Sequence, residues 1–406
     1  MSMAGALDTE VLVIGGGAIG LTIALRLADD GRAVTLLEPN EPGSGASYGN
    51  AGTIAEYAII PVGTPGVLRN LPDLLFSRVS PLSVRKAALP TLFPWLLRFA
   101  YESLPGPMRR NVAALAPLLA EAAGGWHELS AQIGAEDLFR HNGCVYAYTS
   151  MRDFKAAEAD IALRGTYGIA QELLSSDALS RLEPQLPPFE GGAVLFPGAM
   201  SMTDPGEAMR RLAVAVTQAG VRILPRQAIR LERRSAGVQV TTPEGAITAR
   251  RVVIAAGAHS KALVAQAGER VPLDTERGYH IEFDMPTPLL SRPVSPTSRG
   301  FYMVPMQGRL RIAGLVELGD LAAPANERRF AQLEEGARTF FPDLGKPNRS
   351  WLGFRPSMPD SVPVIRPVRG ARDVILAFGH GHLGLTLAPV TARIVRDLVA
   401  GRAPVN

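Results

Sequence analysis

Six consecutive residues near the N-terminus, Gly15-Gly16-Gly17-Ala18-Ile19-Gly20, have the spacing that lets a backbone come close to a phosphate. Gly15, Gly17 and Gly20 permit a tight turn. The N–H groups of Ala18 and Ile19, at the start of a helix, face an anion with the helix dipole behind them. Further on, Glu38 ends an apolar run and is placed to accept hydrogen bonds from ribose hydroxyls. Alone, a G-x-G-x-x-G pattern is a weak signal. Here residues 10–14 read as a buried strand, 18–30 as a helix closed by Gly31, and 33–37 as a second, parallel strand. That β-α-β unit predicts a dinucleotide site without separating FAD from NAD.

Two later segments separate them. Arg251-Val252-Val253-Ile254-Ala255-Ala256-Gly257-Ala258 reads as an apolar strand that stops at small residues, Ala256 and Gly257, beside which a dinucleotide packs closely. Phe378-Gly379-His380-Gly381-His382-Leu383-Gly384-Leu385-Thr386 is a second glycine-rich entry from strand to helix. Its N–H groups are placed to stabilise negative charge on a reduced flavin ring.

The elements that must position these groups are spread along the chain. With 406 residues, two domains are expected. Residues 42–52 form a Gly/Ser/Asn loop. Residues 61–135 read as mostly helical, with breaks at prolines 65, 72, 81, 90, 94, 105 and 107. A strand is expected at 143–149 and helices near 152–167 and 175–182. Asp204 and Pro205 start a helix that runs to about Gly220. Short strands follow at 221–224, 228–234, 237–242, 246–249 and 251–255. Residues 271–316 alternate like strands, the last strand is 374–377, and the final helix is 386–399. The expected fold is α/β: a discontinuous FAD-binding Rossmann-type domain (6–58, 195–262 and 350–406) interleaved with a substrate domain of mixed sheet and helices (59–194 and 263–349).

These segments together resemble the D-amino-acid oxidase superfamily, in particular its bacterial D-amino-acid dehydrogenase-like branch. The resemblance rests on residues 11–20 with Glu38, 43–52, 251–260, 351–363 and 379–389, in the family's order along nearly the whole chain. It implies FAD, held noncovalently because no cysteine stands near the C-terminus. The loop Ser44-Gly45-Ala46-Ser47-Tyr48-Gly49-Asn50-Ala51-Gly52 resembles the segment that lies along the pyrophosphate and the flavin edge, which implicates Ser44, Ser47, Asn50, Ala51 and Gly52. Pro39 and Ala228 are further implied cofactor contacts, as are Gly381, His382, Leu383, Gly384, Leu385 and Thr386.

Trp351-Leu352-Gly353-Phe354-Arg355-Pro356 resembles the family's Gly-x-Arg-Pro motif, whose arginine clamps the substrate carboxylate. A guanidinium is a planar fork that matches a carboxylate in a bidentate way. The bland alternative is a structural arginine paired with an acid such as Asp360. Tyr279 and Tyr302 are candidates to bond the carboxylate or close the pocket, with Tyr48 and His280 behind them. His380 is a candidate base for the amine proton, although hydride transfer from a neutral amine to flavin N5 needs no base. The implied reaction is oxidation of a small amino acid, chiefly a D-amino acid, to its imino acid. Glu276-Arg277-Gly278-Tyr279-His280 and residues 379–384 lean toward D-proline or cis-4-hydroxy-D-proline. Two alternatives keep the flavin site: a flavin subunit of a heteromeric oxidase of the sarcosine type, or a noncatalytic flavin-binding protein.

Composition narrows the rest. A formal charge of +4 with scattered arginine pairs lacks the dense basic stripe of a nucleic-acid binder. The single cysteine, Cys144, lies in an apolar run and reads as a buried structural thiol; it forms no internal disulfide and belongs to no zinc pattern. A cytoplasmic location fits that usage. Residues 11–28 are apolar, but the acids before them and the glycines within argue against a membrane span or signal. The resemblance implies a quinone or electron-transfer chain as acceptor, and the apolar stretch 89–101 with Arg98 is either a buried helix or a peripheral contact with the inner face of the membrane, with Pro90 and Pro94 limiting any long amphipathic run.

Overall fold

The computed structural model describes residues 7–71, 77 and 80–402. The expected break at Pro72 and the chain ends at 6 and 403–406 lie outside the described residues. Thr9–Ile14 is apolar and buried, which suits a parallel strand covered on both faces. It runs parallel to Val34–Leu37 on one side and to the second half of Gly245–Ile254 on the other. Helix Ala18–Asp29 makes the crossover and stops where Gly31 takes a φ of 75°. Arg222–Leu224 extends the sheet at one edge, and Val374–Phe378 pairs with the far side of Gly245–Ile254.

The two strands expected at 246–249 and 251–255 are one strand of ten residues. No glycine or proline interrupts the chain at Arg250. The first half pairs antiparallel with Gly237–Thr242, and the second half pairs parallel with its neighbours. Ala228 precedes the strand it was expected to start, Arg230–Arg234. Helices Ala18–Asp29 and Gly384–Val399 pack together, with Pro205–Gln218 beside the first of them. Leu21, Leu25, Leu212, Ala388 and Val395 fill this layer. Pro205–Gln218 starts as its sequence requires: the Asp204 side chain accepts from the Glu207 N–H, and Pro205 takes the first position, where no N–H is needed.

A second sheet of nine strands runs in the order Arg349–Ser357, Asp274–Asp284, Arg309–Leu318, Phe301–Met306, Val294–Pro296, Cys144–Ala147, Ala193–Phe196, Glu172–Leu174, with Leu82–Val84 against Arg309–Leu318. One face buries Ile281, Phe283, Met303 and Ile312 with Leu333 and Ala337 of helix Glu327–Phe340. The expected boundary at 350 falls inside a strand of this sheet, and the chain rejoins the first sheet only at Val364–Pro367. Residues 195–196 likewise lie in a strand of the second sheet.

Among the described residues between 61 and 135, the α-helices are Pro65–Arg69, Leu89–Glu102, Pro105–Ala120 and Ala122–Gln132, and Leu82–Val84 is a strand. Pro65, Pro90 and Pro105 open helices rather than break them. Pro107 lies in a first turn, where an N–H has no intrahelical partner to lose. Pro94 sits inside Leu89–Glu102 without ending it, with Leu92 and Trp95 buried on either side. Among the described residues no helix is long and apolar enough to cross a membrane.

Candidate active site

The carboxyl ends of the parallel strands converge on the glycine-rich turn, where open α/β sheets bind ligands. Gly15 has a φ of 109°, and a Cβ there would stand 2.5 Å from the Ala255 carbonyl oxygen. A Cβ at Gly20 would stand 1.8 Å from the Gly15 carbonyl oxygen. These two glycines let the turn close on its own strands. Gly17 is different: its nearest neighbour would be the Ser47 hydroxyl at 3.4 Å, so the missing side chain leaves room for a ligand. Helix Ala18–Asp29 has no side-chain cap at Gly17, and the Ala18 N–H donates to Ser47 Oγ at 2.9 Å. Glu38 stands at the end of its strand, where its carboxylate accepts from the N–H groups of Gly16 (2.8 Å) and Asn40 (3.0 Å). The cradle, the bare helix start and the fixed acid together fit an adenine dinucleotide.

The neighbouring residues divide by role. Pro39 and Ser44 face solvent at this rim, and Ser44 Oγ donates to the Glu41 carbonyl. The Asn50 side chain accepts from the Gly52 N–H, which closes the loop on itself. Ala228 and Ala256 pack on the same hydrophobic cluster beside the sheet. At the other end, Thr386 Oγ1 donates to the Thr53 carbonyl and accepts from the Ala55 N–H, and the Leu385 carbonyl accepts from Trp126. These bonds join the start of the last helix to the segment that follows the loop and to helix Ala122–Gln132. Gly381–Leu383 is a short helical turn that carries His382 toward the second sheet.

Loop 44–52 is tied to the second sheet through its main chain. Three successive carbonyls are captured: Tyr48 and Asn50 by Arg311 Nη1 (3.2 and 2.5 Å), and Gly49 by His280 Nδ1 (3.1 Å). Burial lowers the His280 pKa to about 3, so the ring is neutral and Nδ1 carries the proton that Gly49 accepts. Arg311 is fully buried and pairs with Glu282 at 2.7 Å. Gly49 is glycine because the Trp351 ring lies where its Cβ would be, and Trp351 in turn stacks on His280. None of Arg311, Glu282 and Trp351 carried a role in the motif reading.

Alternation along Asp274–Asp284 puts Glu276, Gly278, His280 and Glu282 on the face that meets the loop. Arg355 pairs directly with Glu276, and its guanidinium lies over Gly278. Its Nη1 donates to the Leu315 carbonyl at 2.9 Å. Burial lowers the Arg355 pKa and Glu276 opposes that shift, so the group stays charged. Burial raises the pKa of Glu276 against the pull of Arg355. Leu315 has a φ of 58°, a left-handed conformation that costs a leucine about 1–2 kcal/mol.

Tyr302 shares that face, in one row with Ala313 and His280. Its hydroxyl bonds that of Tyr146 at 2.8 Å, and Tyr57 donates to Cys144 Sγ nearby. Burial pushes the Cys144 thiol up to about 12, which keeps it protonated and inert. Tyr279 is not brought here. It is an odd member of the alternation, so it points to the opposite face, where its hydroxyl donates to the buried Glu317 at 3.1 Å. His380 also turns away: it is buried, and Nε2 meets Thr391 Oγ1 at 2.9 Å. His382 is the histidine near Arg355. Solvent still reaches its ring, but enclosure by protein, reinforced by Arg355, lowers its pKa to about 4. Asp360 is not the acid beside Arg355; Glu276 is.

A surface cleft of about 760 Å³ lies elsewhere, between Asp137, Glu183, Thr203 and Gln307. It holds none of the groups just described. Arg355, Tyr302 and His382 all lie outside it.

Comparison with known proteins agrees with this geometry. The family model described as FAD dependent oxidoreductase matches residues 10–398. A D-amino-acid oxidase of Bradyrhizobium diazoefficiens is 33% identical over 97% of this chain and 96% of its own length. A D-amino acid dehydrogenase 2 of Ralstonia nicotianae is 32% identical over 97% of each. The crystal structure of glycine oxidase from Geobacillus kaustophilus shares the fold, with a TM-score of 0.78 at 24% identity over 98% of this chain and 95% of that one. The chain therefore belongs to the FAD dependent oxidoreductase family that includes the D-amino-acid oxidases and dehydrogenases, and it is an FAD-binding enzyme.

Proposed function

We propose that this enzyme oxidises a small D-amino acid to its imino acid, with Arg355 holding the carboxylate. The observation that carries this reading is the state of Arg355. It is a half-buried guanidinium with a backbone carbonyl as its hydrogen-bond partner, and among the described residues no carboxylate closes an ion pair with it. Arginine in such surroundings is short of an anion, and a substrate carboxylate supplies one. The names of the two relatives compared above support the D-series.

FAD, held by the glycine-rich turns and Glu38, would supply the two-electron oxidising power for removal of the Cα hydrogen. The chain's own residues orient the substrate. Arg355 fixes the carboxylate end, while Tyr302 and Tyr146 offer hydroxyls whose pKa burial raises, so they remain donors. His382, with a pKa near 4, is too weak a base to deprotonate an ammonium, so the reactive substrate is the neutral amine. The imino acid leaves and hydrolyses in water. Anaerobic mixing with a panel of D- and L-amino acids tests the reading. D-Proline and cis-4-hydroxy-D-proline should bleach the flavin absorbance fastest. Bleaching by L-enantiomers alone would overturn it.

The acceptor we propose is a membrane quinone, reached through helix Leu89–Glu102. Leu89, Phe93, Leu97 and Tyr101 are 43–60% exposed and recur every four residues, so they form one stripe along this helix. From 80 to 120 the basic residues are Arg85, Lys86, Arg98, Arg109 and Arg110, and the one acid, Glu102, is buried. An apolar stripe with a basic surround suits an anionic lipid surface. The holoenzyme should float with anionic vesicles and not with zwitterionic ones, and Phe93→Ser should release it. Flotation unchanged by Phe93→Ser, or none at all, would favour the second reading, in which this stripe seats a partner subunit.

A further inference from the structure

We propose that Gly278 and Leu315 are the positioning residues that set where the Arg355 guanidinium stands, and so which carboxylate the site accepts. The proposal rests on the reading of Arg355 as the substrate clamp. An arginine side chain has many rotamers, and Arg355 lies on an edge strand of the second sheet. Two contacts of different kinds remove that freedom.

The first contact is beneath the guanidinium. A Cβ built on Gly278 would stand 2.4 Å from Arg355 Cζ and Nη2 and 2.9 Å from Nη1. Three guanidinium atoms therefore occupy the space of the missing side chain, and the planar group rests on bare backbone. The second contact comes from the side. Arg277 pairs with Glu317 and Tyr279 with Gly314, so Leu315 and Val316 together oppose the single residue Gly278. This is a β-bulge, a device that re-aims a strand locally. Its Leu315 adopts a φ of 58°. The Leu315 N–H donates to the Gly300 carbonyl and the Val316 N–H to the Pro81 carbonyl, while the Leu315 side chain is buried in the core. With those groups engaged, the bulge leaves the Leu315 carbonyl directed at Arg355 Nη1.

The two features face each other across one strand pair. The glycine admits the guanidinium and the bulged leucine stops its rotation. A left-handed leucine at such a point has a cost, and strain of this kind persists where the surrounding structure over-determines it.

Steady-state kinetics of the holoenzyme variants tests the assignment. Gly278→Ala should raise KM for the amino acid on the order of ten- to a hundredfold, because it lifts the guanidinium from its seat. kcat should change far less. In the Arg355→Lys background, where no planar group overlies residue 278, the same substitution should have little further effect. Leu315→Val should raise KM similarly, because a β-branched residue resists positive φ, whereas Leu315→Gly, which accepts it, should stay within roughly threefold of wild type. Leu315→Gly also empties part of the core, so a fall in Tm without a change in KM is its expected signature. Equal KM increases for Gly278→Ala in both backgrounds, or equal KM values for Leu315→Val and Leu315→Gly, would overturn the proposal. If Arg355→Lys itself leaves KM unchanged, the clamp reading fails instead. Should Gly278→Ala not fold, the Leu315 pair decides alone.

Discussion

Replacing Arg355 with methionine is expected to lower kcat/KM on amino acids by roughly thirty- to a thousandfold. Losing a charged hydrogen bond at a buried site leaves the carboxylate unpaired, at about 2–4 kcal/mol. Each 1.4 kcal/mol is about a tenfold change in rate. Methionine keeps most of the aliphatic stem, so the strand Arg349–Ser357 should hold. The flavin absorbance spectrum should remain that of the parent, because Arg355 acts at the substrate end. A decarboxylated amine has no carboxylate to lose and should be affected far less. Loss of flavin or of folding would make Arg355 structural. Unchanged activity on amino acids would place the carboxylate elsewhere and put the substrate class in doubt.

Arg311→Met is the second large effect, and it should appear in stability. Arg311 is fully buried, pairs with Glu282, and donates to the carbonyls of Tyr48 and Asn50. Methionine fills similar volume but leaves those acceptors short. Breaking a buried pair from one side costs about 3–5 kcal/mol. Arg309 remains within 3.1 Å of Glu282 and tempers the loss, so the lower end of that range is expected. Denaturant unfolding of the holoenzyme would measure it, and a change below about 1 kcal/mol would contradict the assigned role. FAD affinity should fall with it, because the loop loses two of its three carbonyl anchors. The pH dependence has a definite sign. Burial alone would raise the Glu282 pKa, but Arg311 and Arg309 outweigh it and hold the value below the ordinary carboxylate range. Its contribution to stability is therefore present at neutral pH and lost as the pH falls through the folded pKa. The variant should lose less stability than the parent on acidification.

The nucleotide end was legible in the sequence because its determinants are local. Gly15, Gly20 and Glu38 lie within one β-α-β unit, and Asp204-Pro205 is a helix start written in adjacent residues. The substrate end was legible only in part. Arg355 could be singled out from its motif, but Tyr279 and Tyr302 looked alike, and only sheet pairing reveals that they face opposite sides. His380 and His382 are two residues apart, and the candidate base is the one that the turn at Gly381–Leu383 buries, while His382 stays accessible beside Arg355. Arg311 and Glu282 gave no signal, since Arg311 holds main-chain carbonyls of a loop more than 200 residues away and Glu282 acts through Arg311. The break expected at Arg250 failed for a simpler reason: a change of strand partner needs no breaker residue.

The order of assembly follows from how the first sheet is threaded. Helix Ala18–Asp29 is synthesised more than 300 residues before Gly384–Val399, which covers much of its apolar face. The outer edge of Gly245–Ile254 likewise waits for Val374–Phe378. At roughly 5–20 residues per second of synthesis, the interval is on the order of tens of seconds. Throughout it the nascent glycine-rich turn has its phosphate-facing backbone but not its covering helix. The nascent chain therefore presents an uncovered apolar helix face throughout that interval, the kind of surface that holdase chaperones bind.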